Sequence, residues 1–181
     1  MPFSFKSLSI PDVILVEPKI FPDERGYFLE TFKASDFNNA DIPNQFTQDN
    51  FSYSKKNVIR GLHYQKGPNA QGKLAFVIRG RVWDVAVDIR KDSPTFLKWV
   101  AMDLDDEKHE MLYIPPGFAH GFVALSDNVC FLYKCTNEYD SLSDTGIRWD
   151  DPDIAIPWSV KNPIVSEKDK NLPYFCDTEI S

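Results

Sequence analysis

The chain carries three imidazoles, His63, His109 and His120. Imidazole is the side chain whose ordinary pKa lies nearest neutrality, so these are the first candidates for a general base. His63 stands in Asn57-Val-Ile-Arg-Gly-Leu-His-Tyr-Gln65. Arg60 and His63 are three apart and would face opposite ways on a plain strand. Gly61 between them offers a bulge that would turn both inward. By its residues alone, His63 reads equally well as a base or as a polar residue on a sheet face. His120 closes Ile114-Pro-Pro-Gly-Phe-Ala-His-Gly121. The prolines and glycines there predict a fixed turn feeding a strand, which would hold His120 in place. His109 lies in Asp105-Asp-Glu-Lys-His-Glu110 and reads as part of a solvated loop.

The elements that must position these residues read mostly as strands. Tyr27-Phe28-Leu29-Glu30-Thr31-Phe32 is aromatic and β-branched. Lys73 to Ile78 and Val82 to Ile89 flank Arg79-Gly80-Arg81, which predicts a hairpin. Trp83, Val85, Val87 and Ile89 alternate with Asp84, Ala86 and Asp88, the period of a half-buried strand. Phe96 to Leu104, Met111 to Ile114, Gly121 to Leu125 and Val129 to Thr136 read as further strands. Short helices are expected at Lys33 to Asn39 and around Ser166 to Asn171. Prolines at 152, 157, 163 and 173 keep the C-terminal segment irregular. The expected class is all-β, an antiparallel sandwich or barrel with short peripheral helices. A length of 181 residues fits one domain spanning 1–181.

Charge narrows the function classes. A net charge of −7 argues against a nucleic-acid binder. Residues 1–100 carry 14 basic and 11 acidic side chains, while residues 101–181 carry 6 and 16. An anionic ligand should therefore be held by the first half. No apolar run reaches the length of a membrane span, and Met1 to Val13 lacks the apolar stretch of a signal peptide, so the expected address is the cytoplasm, with no membrane partner. Cys130 and Cys135 are five apart on one expected strand and should face opposite ways, which makes them poor disulfide partners.

Pro115-x-Gly117-x-x-His120 resembles the second motif of the cupin β-barrels. Their first motif supplies a His-x-His pair and a carboxylate to a metal. The corresponding place here reads His63-Tyr64-Gln65, and an amide is a poor substitute for imidazole on a transition metal. No bound metal is expected. The chain also has no Gly-x-Gly-x-x-Gly string, so no nicotinamide cofactor is expected either.

Longer strings agree with one another: Phe21-Pro-Asp-Glu-Arg-Gly-Tyr-Phe-Leu-Glu-Thr-Phe32, Gln48-Asp-Asn-Phe-Ser-Tyr-Ser54, Val58 to Gln65, Ala70-Gln-Gly-Lys73, Tyr113 to Phe122, Gly146-Ile-Arg-Trp-Asp-Asp-Pro-Asp153 and Val165-Ser-Glu-Lys-Asp169. From about residue 3 to residue 175, the chain resembles the dTDP-4-dehydrorhamnose 3,5-epimerase family. The resemblance implies a cofactor-free epimerase that converts dTDP-4-dehydro-6-deoxy-D-glucose to dTDP-4-dehydro-L-rhamnose in dTDP-L-rhamnose biosynthesis. It implies a cupin-like jelly-roll β-barrel in a homodimer, with N-terminal strands exchanged between subunits. By matched motif, His63 is the proton acceptor, Asp169 its partner, Tyr133 the proton donor, and Lys73 lies beside the sugar ketone. Arg25, Glu30, Gln48, Asp49, Asn50, Arg60, His120, Asp144 and Lys168 fall at substrate-binding positions, and Tyr139 matches a tyrosine that stacks on thymine. Asp144-Thr145 stands where the family usually has Glu-Arg, and Glu138 replaces a common aromatic; both changes touch nucleotide contacts rather than the chemistry.

Without the resemblance, Tyr133 would read as a core tyrosine, Lys73 as a surface lysine, Asp169 as a helix cap or solvated acid, and Tyr139 as loop decoration. Three other functions remain open on the residues: an epimerase of one carbon only, a non-catalytic nucleotide-sugar barrel and a metal-dependent oxygenase.

Overall fold

The computed structural model describes residues 2–178. In chain order the elements are β1 (Phe3–Ser7), β2 (Ile14–Pro18), β3 (Phe21–Asp23), β4 (Gly26–Phe28), α1 (Ala34–Asn38), β5 (Gln48–Ser54), β6 (Ile59–Gln65), β7 (Lys73–Arg79), β8 (Arg81–Asp88), β9 (Trp99–Asp105), β10 (Met111–Ile114), β11 (Phe118–Ala124), β12 (Val129–Cys135), β13 (Asp144–Gly146) and α2 (Glu167–Lys170). A six-stranded sheet runs β1-β2-β10-β7-β12-β5 and a five-stranded sheet runs β13-β6-β11-β8-β9, with β3 and β4 forming a separate two-stranded arm. The two large sheets face each other as a jelly-roll β-barrel, the class expected from the sequence.

Alternation along each strand sorts the chain into an inside and an outside. Ala75, Val77, Leu112 and Phe131 of one sheet meet Val82, Ala86, Val100, Leu104 and Phe122 of the other in the barrel core. The outer face of the five-stranded sheet is not solvated. Ile147 and Ile154, with the partly buried Ile156, Trp158 and Phe175, pack over Leu62, Val85, Val87 and Ala119. The C-terminal segment is thus irregular, as its prolines predict, and it caps a sheet.

That cap overturns the half-buried reading of β8. Val85 and Val87 lie under the C-terminal segment, while Asp84, Ala86 and Asp88 point into the barrel, all of them fully buried. The hairpin expected at Gly80 is also absent. β7 belongs to the six-stranded sheet and β8 to the five-stranded one, so the chain arches from one sheet to the other. Gly80 has φ of +87°, and a Cβ there would lie 2.6 Å from Ser126 Oγ. Its N–H donates to Asp106 Oδ2 at 2.9 Å rather than to a hairpin partner. The apolar faces of β7 and β8 serve one core from opposite sides, and pairing them in one sheet would point both the same way.

The stretch Tyr27 to Phe32 is strand only through Phe28. The β3–β4 arm stands away from the barrel, with Tyr27 58% and Phe28 63% exposed. Both short helices occur where expected, one residue shorter at each end. The three cysteines are free thiols.

Candidate active site

One end of the space between the sheets is not filled by core side chains. It is a cavity of about 450 Å³ lined by polar groups from both walls. The six-stranded sheet contributes Gln48, Asn50 and Ser52 from β5, Lys73 from β7 and Tyr133 from β12; the five-stranded sheet contributes Arg60, His63 and His120.

The bulge expected at Gly61 is present. Arg60 pairs with Phe122 and His63 with His120, so Gly61 and Leu62 together oppose Gly121 alone. The extra residue brings Arg60 and His63 onto the same face. Gly61 has φ of +128°, and a Cβ there would sit 2.5 Å from Gly121 Cα. No other residue fits that crossing without displacing the strands.

Asp169 ties the bulge to the imidazole. Its Oδ1 lies 2.8 Å from His63 Nε2, and its Oδ2 accepts from the Gly61 N–H at 3.2 Å. Burial works to raise the Asp169 pKa, but the His63 contact, the Gly61 N–H and Ser166 outweigh it and hold the carboxyl below its ordinary value. An ionised acceptor assigns the proton of neutral His63 to Nε2 and leaves Nδ1 with the lone pair. Ser166 Oγ accepts from the Asp169 N–H at 3.1 Å and starts α2, which fixes Asp169 over the bulge.

Lys73 is 7% exposed, not a surface lysine. Its ammonium donates to the His63 carbonyl at 3.2 Å. Burial pushes its pKa below the ordinary lysine value, against the opposing pull of Cys135, Asp84 and Asp144. Tyr133 faces the cavity from the opposite sheet to His63, and burial pushes its phenol upward. His120 Nε2 lies 2.7 Å from Asp84 Oδ1. Asp84 is a residue the sequence reading did not assign to the site, as are the cavity-lining Ser52 and Gln71. The signal of Asp84 was an acid inside the apolar run from Val82 to Val87.

Polar clamps shape the rest. Arg60 donates to Ser54 Oγ at 3.0 Å and to the Tyr53 carbonyl at 2.9 Å. Gln48 Oε1 accepts from the Tyr139 N–H at 2.7 Å, and Gln48 Nε2 donates to Asn50 Oδ1 at 2.9 Å. At the mouth, Asp144 Oδ2 accepts from Lys168 Nζ at 2.6 Å and from the Tyr139 hydroxyl at 3.3 Å. Arg60 and Lys73 come from the net-basic half, as expected for an anionic ligand, but Lys168 comes from the acidic half.

Three residues at substrate-binding positions are not in this cavity. The Asp49 carboxylate points to the outer face, where Lys134 Nζ lies 2.7 Å away, because period two sends Gln48 and Asn50 inward and Asp49 outward. Arg25 is on the exposed arm, paired with Asp23 at 2.6 Å. Glu30 lines a separate recess with Pro2, Lys19, Phe21, Phe28 and Lys33. His109 lies outside the site, with its ring 4.9 Å from that of Tyr27.

A metal does not suit these donors. Gln65 Nε2 donates to the carbonyls of Asn69 and Glu138, and its Oε1 accepts from the Asp140 N–H. Its amide holds a loop. Among the described residues no group of three or more His, Cys, Asp or Glu converges as a metal cage.

The family model described as dTDP-4-dehydrorhamnose 3,5-epimerase matches residues 7–177. The chain belongs to the dTDP-4-dehydrorhamnose 3,5-epimerase family. It is an isomerase. The enzyme of that name from Shigella flexneri is 52% identical over 171 residues, 94% of either chain. The crystal structure of the 3,5-epimerase from Legionella pneumophila in complex with dTDP-4-keto-L-rhamnose superposes with a TM-score of 0.94 at 43% identity, covering 98% of this chain and 95% of that one. A 3′-monoepimerase from Streptomyces bikiniensis in complex with dTDP-quinovose matches at 32% identity and a TM-score of 0.89, covering 94% and 87%. This epimerase is therefore closer to the double epimerases than to that single-carbon relative, and membership in the family removes the binding-module and oxygenase readings. No helix among its described residues is long and apolar enough to cross a membrane.

Proposed function

We propose that this epimerase inverts C3 and C5 of dTDP-4-dehydro-6-deoxy-D-glucose with His63 as base, Tyr133 as proton donor and Lys73 as the electrostatic clamp on the ketone oxygen. The observation that carries the reading is that His63 and Tyr133 belong to opposite sheets and line one cavity. Inversion needs a proton removed on one face of the carbon and returned on the other. A sugar lying between the sheets meets one group on each face.

His63 Nδ1 takes the proton from the carbon beside the ketone. The C–H electron pair becomes the enolate double bond, and charge collects on the C4 oxygen, where the Lys73 ammonium stabilises it. Asp169 holds the imidazolium through Nε2–H. Tyr133 then gives its proton to the opposite face of the carbon. Arg60 and Lys168 serve the diphosphate, guanidinium matching phosphate oxygens in a fork. No step needs a metal or nicotinamide. In deuterated water, NMR should find deuterium at both carbons flanking the ketone; label at one carbon alone would make this a single-site epimerase.

The active unit in this reading is a homodimer of one epimerase domain, residues 1–181, with the arm exchanged. The support is chemical: Arg25 stands on the exposed aromatic arm and Glu30 in the recess beside it, both away from their own cavity, and Phe51, Tyr53 and Ile78 leave an exposed apolar patch on the outer face of the six-stranded sheet. Mixing inactive Arg25→Ala and His63→Ala chains should restore activity, since one pocket of a mixed dimer then has both residues; no recovery in mixed dimers means each arm serves its own chain. The free cysteines fit a reducing compartment, and we assign the enzyme to the cytoplasm.

A further inference from the structure

Two inversions in one turnover create a proton-balance problem. Each inversion leaves His63 one proton richer and Tyr133 one proton poorer. The second cannot begin until the imidazole is neutral and the phenol is restored. Burial of Tyr133 works against leaving it as a phenolate.

A titratable side chain adjoins both groups. His120 is the cross-strand partner of His63 on the β6–β11 ladder. Its ring also stands edge-on to that of Tyr133, centroids 6.4 Å apart. All three line the same cavity. Nε2 of His120 is engaged by Asp84, and Nδ1 has no hydrogen-bond partner among the described residues. Asp84 itself is fully buried, and its Oδ2 has no hydrogen-bond partner among the described residues. A buried carboxylate with one oxygen unpaired costs stability that an apolar residue would not. Such an acid is suited to a neighbour that becomes positively charged during the reaction.

We propose that the His120–Asp84 pair is a proton relay that resets His63 and Tyr133 between the two inversions. The His63 imidazolium gives its Nδ1 proton to the lone pair on His120 Nδ1, directly or through one water. The Nε2–H of the His120 imidazolium stays against the Asp84 carboxylate. The same Nδ1–H bond then breaks and the proton passes to the Tyr133 oxygen. His63 ends neutral, Tyr133 ends as a phenol, and His120 returns to its starting state, with no outside reactant consumed. Asp84 acts through His120 and is a positioning residue.

The proposal rests on His63 as base and Tyr133 as donor. If that assignment fails, carbon–hydrogen exchange survives in His63→Ala; if only the relay fails, His63→Ala still abolishes exchange and the ratio below does not move. The test is rapid-quench single turnover with Asp84→Asn, resolving singly and doubly inverted sugar. The first inversion should stay within about 3-fold of wild type, while the second slows roughly 10-fold to 100-fold. Singly inverted dTDP-sugar should then accumulate. Equal slowing of both inversions, or slowing of neither, overturns the relay, because a purely structural role for Asp84 has no reason to separate them. His120→Gln, which keeps a polar side chain in the wall, should shift the same ratio. It decides the matter alone if Asp84→Asn does not fold.

Discussion

Asp169 Oδ1 lies 2.8 Å from His63 Nε2 across 106 residues of chain, and the other oxygen of the same carboxylate holds the N–H of the bulge that aims the imidazole. One acid therefore sets both the tautomer of His63 and the backbone beneath it. His63→Ala should abolish proton exchange at both carbons while dTDP binding is nearly retained. Asp169→Asn should keep the fold and lower kcat by about 10⁴-fold if the tautomer is lost, as in other carboxylate–histidine pairs. Circular dichroism checks the fold and NMR exchange checks the chemistry. Near-normal exchange in His63→Ala would mean the base is elsewhere, and in Asp169→Asn that the carboxylate does not set the tautomer.

Tyr133→Phe separates abstraction from return. The ring still fills its place against Phe131 and His120, and only a hydroxyl is gone. His63 should still form the enolate and hand a solvent deuteron back to the face it came from. Recovered substrate should carry deuterium with little inverted product. Washout and inversion falling by one large factor would contradict a pure donor role.

Lys73 should set the alkaline limb of activity. Its folded pKa lies below the ordinary lysine value because the ammonium is buried, so its charge is lost at lower pH than that of a free lysine. The Tyr133 phenol moves the opposite way and remains protonated longer. A kcat–pH profile should therefore begin to fall below the pH at which a free lysine titrates. Lys73→Arg, whose guanidinium does not deprotonate, should retain reduced activity without that limb. An unchanged limb in the variant would assign it to another group.

Gly61→Ala tests the bulge. The new methyl would meet the Gly121 Cα at 2.5 Å at a φ few side chains adopt. The expected cost is at least about 2 kcal/mol from strain and overpacking, read as a shift of the urea midpoint. Activity should fall more than stability, since any relief moves His63 away from Asp169. Wild-type stability would show that the bulge relaxes freely.

Exhaustive chelation should leave activity intact. Both ring Nε2 atoms at the site are engaged by carboxylates, and the Gln65 amide is engaged by backbone groups. Loss of activity that a divalent ion restores would place a metal in the reaction.

Much of this molecule is local in origin and could be read from residue order. Period two and turn chemistry identify β10 to the residue and β12 within one, and glycine between Arg60 and His63 announces the bulge because only a positive φ there turns both side chains inward. The family strings mark His63, Lys73, Tyr133 and Asp169 as residues of one site. Other features depend on what lies across the barrel. The alternation in β8 does not say which of its faces meets water; the C-terminal segment covers the face of Val85 and Val87, and Asp84 on the other face lies inside the barrel against His120. The turn at Gly80 reads the same whether the chain folds back in one sheet or arches to the other; the shared core decides for the arch. Lys73 and Asp169 carry no local sign of burial. The state of Lys73 comes from desolvation between the two sheets, and that of Asp169 from the His63 contact at 2.8 Å that α2 makes.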